Sequence, residues 1–167
     1  MSTIKLSVVV CVYNEEENIK PQIQRIAEAM EGYEYEMVFV DDGSKDNTLK
    51  ELYSVEHPRL RVVELKKNYG QSLALMAGID YAQGEYIATM DGDLQNDPSD
   101  LPRMLKIAED EGFDMVAGNR ANRQDGMVLR KIPSRIANYI IRSTTDVHLK
   151  YYVCALKVLK ADLAKDL

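Results

Sequence analysis

The chain has 167 residues, 46% of them hydrophobic and 29% charged, with a net charge of −6 at neutral pH. That length gives one domain with room for a proper core, the balance excludes a disordered chain, and the acidic excess argues against a protein that coats nucleic acid. The two cysteines give no disulfide framework and fit a reducing cytosol, the N-terminal MSTIKLSVVV reads as a strand and not a signal peptide, and no stretch approaches the roughly 20 apolar residues of a membrane span.

Strand and helix patterns then alternate along the chain. Residues 5–13 form a β-rich run, and 21–30 an amphipathic helix that Pro21 opens as a first-turn residue. A second strand is expected over 36–40 and a helix over 46–55, with Asp46 as its cap. Residues 60–65 give the third strand, 70–82 a helix, 85–90 the fourth strand, 99–111 a helix and 114–117 the fifth strand. The rhythm loosens through 119–131, after which 132–143 looks helical and 154–159 reads as a further strand. Repeated β-α units predict an α/β fold, a mostly parallel central sheet flanked by helices, in a single domain spanning 1–167.

In such a sheet the residues after each strand gather at one edge, where ligands bind. Here those residues are Tyr13-Asn14-Glu15, Asp41-Asp42-Gly43-Ser44, Asn68-Tyr69-Gly70, Asp91-Gly92-Asp93 and Asn119-Arg120. Polar loops are ordinary at any one of these places. Two carboxylate pairs at two strand ends are not, because like charges held together cost energy unless something positive binds them.

The fourth strand runs straight into Met90-Asp91-Gly92-Asp93-Leu94-Gln95. Two carboxylates followed by an amide are what a hard, oxygen-seeking cation such as Mg²⁺ or Mn²⁺ requires, and such a cation suits an enzyme that must hold and discharge a diphosphate. A plain turn or helix cap is the bland alternative. An EF-hand is excluded: counting from Asp91, Asn96 and Pro102 stand where that loop needs glycine and glutamate. Asp41-Asp42-Gly43-Ser44 reads either as a strand-to-helix turn or as carboxylates accepting hydrogen bonds from a nucleoside. Neither a Gly-x-Gly-x-x-Gly after the first strand nor a Gly-Lys-Ser/Thr loop is present, which disfavours dinucleotide oxidoreductases and P-loop nucleotidases. The stretch 119–142 sets Arg120, Arg123, Arg130, Lys131, Arg135 and Arg142 against the single acid Asp125. It is either a solvated helix face over ordinary core or a patch for phosphate and an anionic membrane surface. His57 and His148 have no neighbours at ligand spacing.

With these residues in view, the chain resembles the family-2 glycosyltransferases, in particular the polyprenyl-phosphate sugar transferases. The motifs that carry the resemblance are VVVCVYNEEENI, VFVDDGSKDNT, NYGQSLALMAGIDYAQGEYIATMDGDLQNDP and MVAGNR, in that order over residues 6–120. The resemblance implies a Rossmann-like GT-A fold, a UDP- or GDP-linked sugar donor, a divalent metal, inversion at the anomeric carbon and a polyprenyl-phosphate acceptor, undecaprenyl or dolichyl. It also implies roles. Tyr13, Glu15, Asp41, Asp42 and Asp91 would contact the nucleotide. Asp91, Asp93 and Gln95 would form the metal and diphosphate group, and Arg120, Arg130 and Ser134 would hold the acceptor phosphate. Asp91, Asp93 and Arg120 would carry catalysis. The expected location is the cytoplasmic face of the cell membrane, with no nucleic-acid partner and with homo-oligomerisation left open.

Two departures qualify that expectation. Tyr151-Tyr152-Val153-Cys154 stands where the family usually has an Asp-Tyr-Gly-Cys-like segment, so an acid and a glycine are missing on the acceptor side. The chain also stops at Leu167, before the acceptor-covering segment and membrane anchors of many relatives. The expectation is donor binding with weak transfer, and residues 145–153 poorly ordered or displaced. Rival readings are transfer to a saccharide hydroxyl, which would need a general base, a nucleotide-sugar nucleotidyltransferase and a receiver-type signalling domain. The nucleotidyltransferase wants a basic, glycine-rich loop where Glu15-Glu16-Glu17 stand. The receiver wants its acidic pair after the first strand and a lysine after the fifth, where Asn14-Glu15 and Asn119-Arg120 stand.

Overall fold

Strands buried on both faces must read as nearly continuous apolar runs, and β1 (Leu6–Val12, LSVVVCV) and β2 (Tyr35–Asp41, YEMVFVD) do so. Every residue of β2 is buried, and in β1 only Cys11 is partly exposed. In the computed structural model, which describes residues 3–118 and 156–166, they are joined by β3 (Leu60–Glu64), β4 (Tyr86–Asp91), β5 (Met115–Ala117) and β6 (Lys157–Lys160). The six strands make one sheet in the order β3-β2-β1-β4-β6-β5. β1 pairs in parallel with β2 and β4, and β2 with β3. β6 lies antiparallel between β4 and β5, so β5 runs the same way as β4. The expected mostly parallel sheet is therefore mixed on one side, and the carboxyl ends of β1 to β5 share an edge.

The helices are α1 (Ile19–Ala29), α2 (Thr48–Ser54), α3 (Gln71–Tyr81), α4 (Leu101–Glu111) and α5 (Ala161–Lys165). The period-two alternation of the strands decides which layer each one covers. Val9, Val38, Val40, Val63 and Ile87 point to one face and pack with Ala74 and Ile79 of α3 and Ala164 of α5. On the opposite face Gln22 of α1 reaches Met90 of β4, and α1 in turn meets α2 and the 3-10 turn Pro98–Asp100 that leads into α4. α3 sits unusually close to the sheet. A Cβ on Gly78 would lie 2.4 Å from Val9 Cγ1 and 2.8 Å from Val40 Cγ2, so only a glycine permits that approach.

Several local expectations shift by a residue or two. α1 begins two residues before Pro21, which stays within the first turn. α2 begins at Thr48, and Asp46 serves it from one place further out: its Oδ1 accepts the Thr48 N–H (2.9 Å) and hydroxyl (2.6 Å). α5, directly after β6, was not expected from the sequence; five residues are too few for a helical period to show. The helix expected over 132–143 lies outside the described residues. All described residues belong to one compact unit, formed by 1–118 with 155–167.

Candidate active site

The carboxyl ends of β1 and β4, with the loops that follow β2 and β3, enclose a cleft of about 390 Å³ whose lining includes Tyr13, Glu15, Asp42, Gln71, Asp91 and Asp93. Its nearer wall is built by two loops that hold each other. Asn14, at a left-handed φ of 54°, donates its N–H to Ser44 Oγ (2.9 Å) and accepts the Lys45 N–H at Oδ1 (2.8 Å). The Glu15 N–H donates to Thr48 Oγ1 (2.8 Å), and the Asn47 N–H donates to Glu16 Oε2 (2.7 Å). This lacing between the loops after β1 and β2 holds Glu15 and the 38%-exposed ring of Tyr13 at the cleft.

Asp41 and Asp42 are adjacent in sequence but take opposite faces, as alternation requires. Asp42 continues the Val38, Val40 side and lines the cleft. Its Oδ1 accepts the Tyr69 N–H (2.8 Å) and its Oδ2 the Gly70 N–H (3.0 Å), which fastens the start of α3 to the end of β2. A carboxylate offers about four lone-pair sites, so acceptor capacity remains on the cleft side. Asp41 continues the Met37, Phe39 side, is only 2% exposed and accepts the Ser44 N–H at Oδ2 (3.2 Å). The structure does not bring Asp41 to the cleft lining.

Asp91 is the last residue of β4, paired in register with Cys11 of β1, and Asp93 follows after Gly92. Glycine is required between them because a Cβ at residue 92 would lie 2.4 Å from Val12 Cγ1 and 3.2 Å from the Cys11 carbonyl oxygen. The acidic turn thus presses directly on the end of β1. Asp91 Oδ1 accepts Gln71 Nε2 (2.7 Å), and Asp93 Oδ1 accepts the Gln95 N–H (3.1 Å). Leu94 adopts φ 62°, a left-handed conformation uncommon for leucine. Beyond that reversal Gln95 lines a different hollow, with Arg25, Glu28 and Asp97, so only its backbone N–H meets Asp93 and it is not part of the cleft lining.

The donor set in the cleft fits a cation that keeps part of its water and takes substrate phosphate oxygens. Among the described residues no group of three or more His, Cys, Asp or Glu side chains is gathered closely enough to hold a metal alone. Mg²⁺ and Mn²⁺ need no such cage, since one or two carboxylates together with phosphates suffice. The electrostatics of the cleft floor agree with its acidity. Burial pushes the Cys11 thiol up to about 12, and the Asp91 and Asp42 carboxylates add to the shift. That cysteine is a neutral floor residue and no nucleophile.

Arg120, Arg130 and Ser134, the basic stretch 119–142, and Tyr151 and Val153 with the segment 145–153 lie outside the described residues. Gln71 is the cleft residue that sequence reasoning missed as a site residue. Its signal was its place, one residue past the polar cluster after β3, inside the NYGQ motif.

The glycosyl transferase family 2 model matches residues 7–167. A dodecaprenyl-phosphate galacturonate synthase from Rhizobium johnstonii is 47% identical over 170 aligned positions, covering 99% of this chain and 50% of the relative. The chain therefore spans about half the length of that curated relative. Among solved structures, a mannosyltransferase from Pyrobaculum calidifontis in complex with GDP-Man and Mn²⁺ superposes with a TM-score of 0.70 at 22% identity, over 99% of this chain and 47% of that one. The glucosyl-3-phosphoglycerate synthase of Mycobacterium tuberculosis, in complex with phosphoglyceric acid, superposes at 0.76 and 20% identity, over 95% of this chain and 57% of that one. These likenesses show the GT-A-like fold.

Proposed function

This chain belongs to glycosyl transferase family 2, and on that premise we propose that residues 1–167 form the catalytic domain of an inverting, divalent-cation-dependent glycosyltransferase acting on a polyprenyl phosphate. The observation that carries the proposal is the meeting of Asp91 and Asp93 with Tyr13, Glu15 and Asp42 in one cleft at the carboxyl edge of the sheet. A nucleoside diphosphate needs both halves of that arrangement: hydrogen-bond acceptors and a ring face for the nucleoside, and a cation site for the diphosphate. The polyprenyl-phosphate acceptor is supported by the name of the Rhizobium relative.

Asp91 and Asp93 would hold Mg²⁺ or Mn²⁺, which when bound neutralises charge on the departing diphosphate. Tyr13, Glu15 and Asp42 bind and orient the nucleoside. Arg120 and Arg130, with the Ser134 hydroxyl, hold the acceptor phosphate through charge-assisted hydrogen bonds. One acceptor oxygen forms the new bond to the anomeric carbon from the face opposite the leaving group, and the breaking bond's electron pair goes to the diphosphate oxygen. The acceptor is ionised at neutral pH, so positioning matters more than a general base. Among the described residues no helix is long and apolar enough to cross a membrane. A lipid acceptor puts the reaction at a membrane surface, on the cytoplasmic side in this reading, and the basic stretch 119–142 supplies charge for it.

The test is a panel of UDP- and GDP-sugars, uronates included, incubated with the chain and a short polyprenyl phosphate, with and without Mn²⁺. Release of nucleoside diphosphate that requires both the lipid phosphate and Mn²⁺ is expected. Calorimetry should show that Asp93→Ala abolishes Mn²⁺-dependent donor binding while circular dichroism stays unchanged. Metal-dependent affinity equal to the parent's would remove Asp93 from the site.

A further inference from the structure

The first turn of α3 spans two carboxylates that belong to different halves of the cleft. β1 lies between β2 and β4 in the sheet, and Asp42 and Asp91 follow or end those two outer neighbours. Asp42 accepts the backbone N–H groups of Tyr69 and Gly70 at 2.8 and 3.0 Å. One residue later, Gln71 Nε2 donates to Asp91 Oδ1 at 2.7 Å. The bridge crosses above Cys11, whose register partners are Val40 on one side and Asp91 on the other. The height of the helix is set independently, by the contact of Gly78 with Val9 and Val40. Gln71 is therefore presented to Asp91 from a helix held at its start by Asp42 and two turns later at Gly78.

We propose that Gln71 is a positioning residue for Asp91, fixing the orientation of that carboxylate for the divalent cation. The inference rests on the donor-site reading above. The chemistry of the side chain favours it. An amide nitrogen donates to a carboxylate without adding charge, so it orders Asp91 and leaves its full negative charge to attract the cation. A lysine or arginine at that place would also donate, but would cancel the charge and repel the metal. Without a cation, the opposite amide orientation would set the Gln71 carbonyl oxygen against the Asp91 carboxylate. Partners of this kind, which hold a ligand without touching the metal, typically change metal affinity by about 10- to 100-fold when removed.

The experiment follows Mn²⁺ binding by the loss of the free-ion electron paramagnetic resonance signal, with UDP or GDP present. Gln71→Ala should weaken Mn²⁺ binding by about 10-fold or more. Its melting temperature and its affinity for the free nucleoside, which lacks the diphosphate, should match the parent's. Gln71→Asn, with the amide one methylene short of Asp91, should behave like Gln71→Ala. Parental Mn²⁺ affinity in either variant overturns the proposal. A parallel fall in melting temperature and nucleoside affinity overturns it too, because it makes the contact a structural one. A parent chain that takes up no Mn²⁺ with nucleotide overturns the donor-site reading and this inference together, which separates the two failures.

Discussion

Both oxygens of Asp42 accept backbone N–H groups from the turn that starts α3, so Asp42→Ala leaves two N–H donors without their acceptor at once. Each hydrogen bond to a charged group contributes roughly 1.5–3 kcal/mol, and with two lost the variant should lose at least that much stability, read as a lower midpoint in urea. Nucleoside affinity should fall as well, since the same carboxylate faces the cleft. If the midpoint falls while free nucleoside competes equally well against both proteins, Asp42 holds the loop and does not read the nucleoside. Asp41 is a contrast one residue away. It is buried on the other face beneath the turn after β2, accepting the Ser44 N–H, and the nucleotide contact that the family resemblance implied for it has no support in the lining of the cleft.

At the scale of an element, α3 brings Gln71 to Asp91 on a close fit. Gly78→Ala sets helix propensity against packing. Alanine gains about 1 kcal/mol over glycine in a helix interior. Overfilling a packed contact costs about 1–3 kcal/mol, and the new Cβ would sit 2.4 Å from Val9 Cγ1. The packing term should win, so the variant is expected to melt lower than the parent. It should also bind Mn²⁺ with nucleotide more weakly, because lifting α3 draws Gln71 from Asp91. Adding Val9→Ala should recover part of both losses, although Val9→Ala alone is destabilising. Simple additivity of the two changes in a double-mutant cycle would show that the close approach of helix and sheet is not the constraint.

At the scale of the whole molecule, the net charge of −6 and the basic stretch 119–142 pull in opposite directions at a membrane. The proposed lipid-phosphate function predicts that the basic stretch prevails locally. The chain should co-sediment with anionic vesicles at low salt and release them as salt rises, since the screening length shrinks from roughly 10 Å at 0.1 M to roughly 3 Å at 1 M. Arg130→Ala should impair use of a short polyprenyl-phosphate analogue while leaving donor affinity unchanged. No vesicle binding at low salt, together with unimpaired acceptor use by the variant, would make that stretch an ordinary solvated face.

By itself the sequence determined the alternation of strands and helices and the gathering of polar residues at one edge of the sheet. Both depend on local periodicity and on the rule that a strand's carboxyl end opens toward the ligand side. Asp91 and Asp93 were legible for that reason, as were Tyr13, Glu15 and Asp42. What only the tertiary structure decided depends on which strands are neighbours and which face a residue takes. Lys157–Lys160 pairs antiparallel between two strands that precede it in the chain, and no local pattern announces that register. Adjacent aspartates read alike in a string of letters, but the pleat sends Asp42 to the cleft and Asp41 beneath it. Gln95 sits two residues past Asp93 and keeps its N–H on that carboxylate, yet past the left-handed turn at Leu94 it lines a different hollow. Gln71 and Asp91 are 20 residues apart and meet only because α3 comes down on Val9 and Val40 beside Gly78, a contact made by packing and not by sequence proximity.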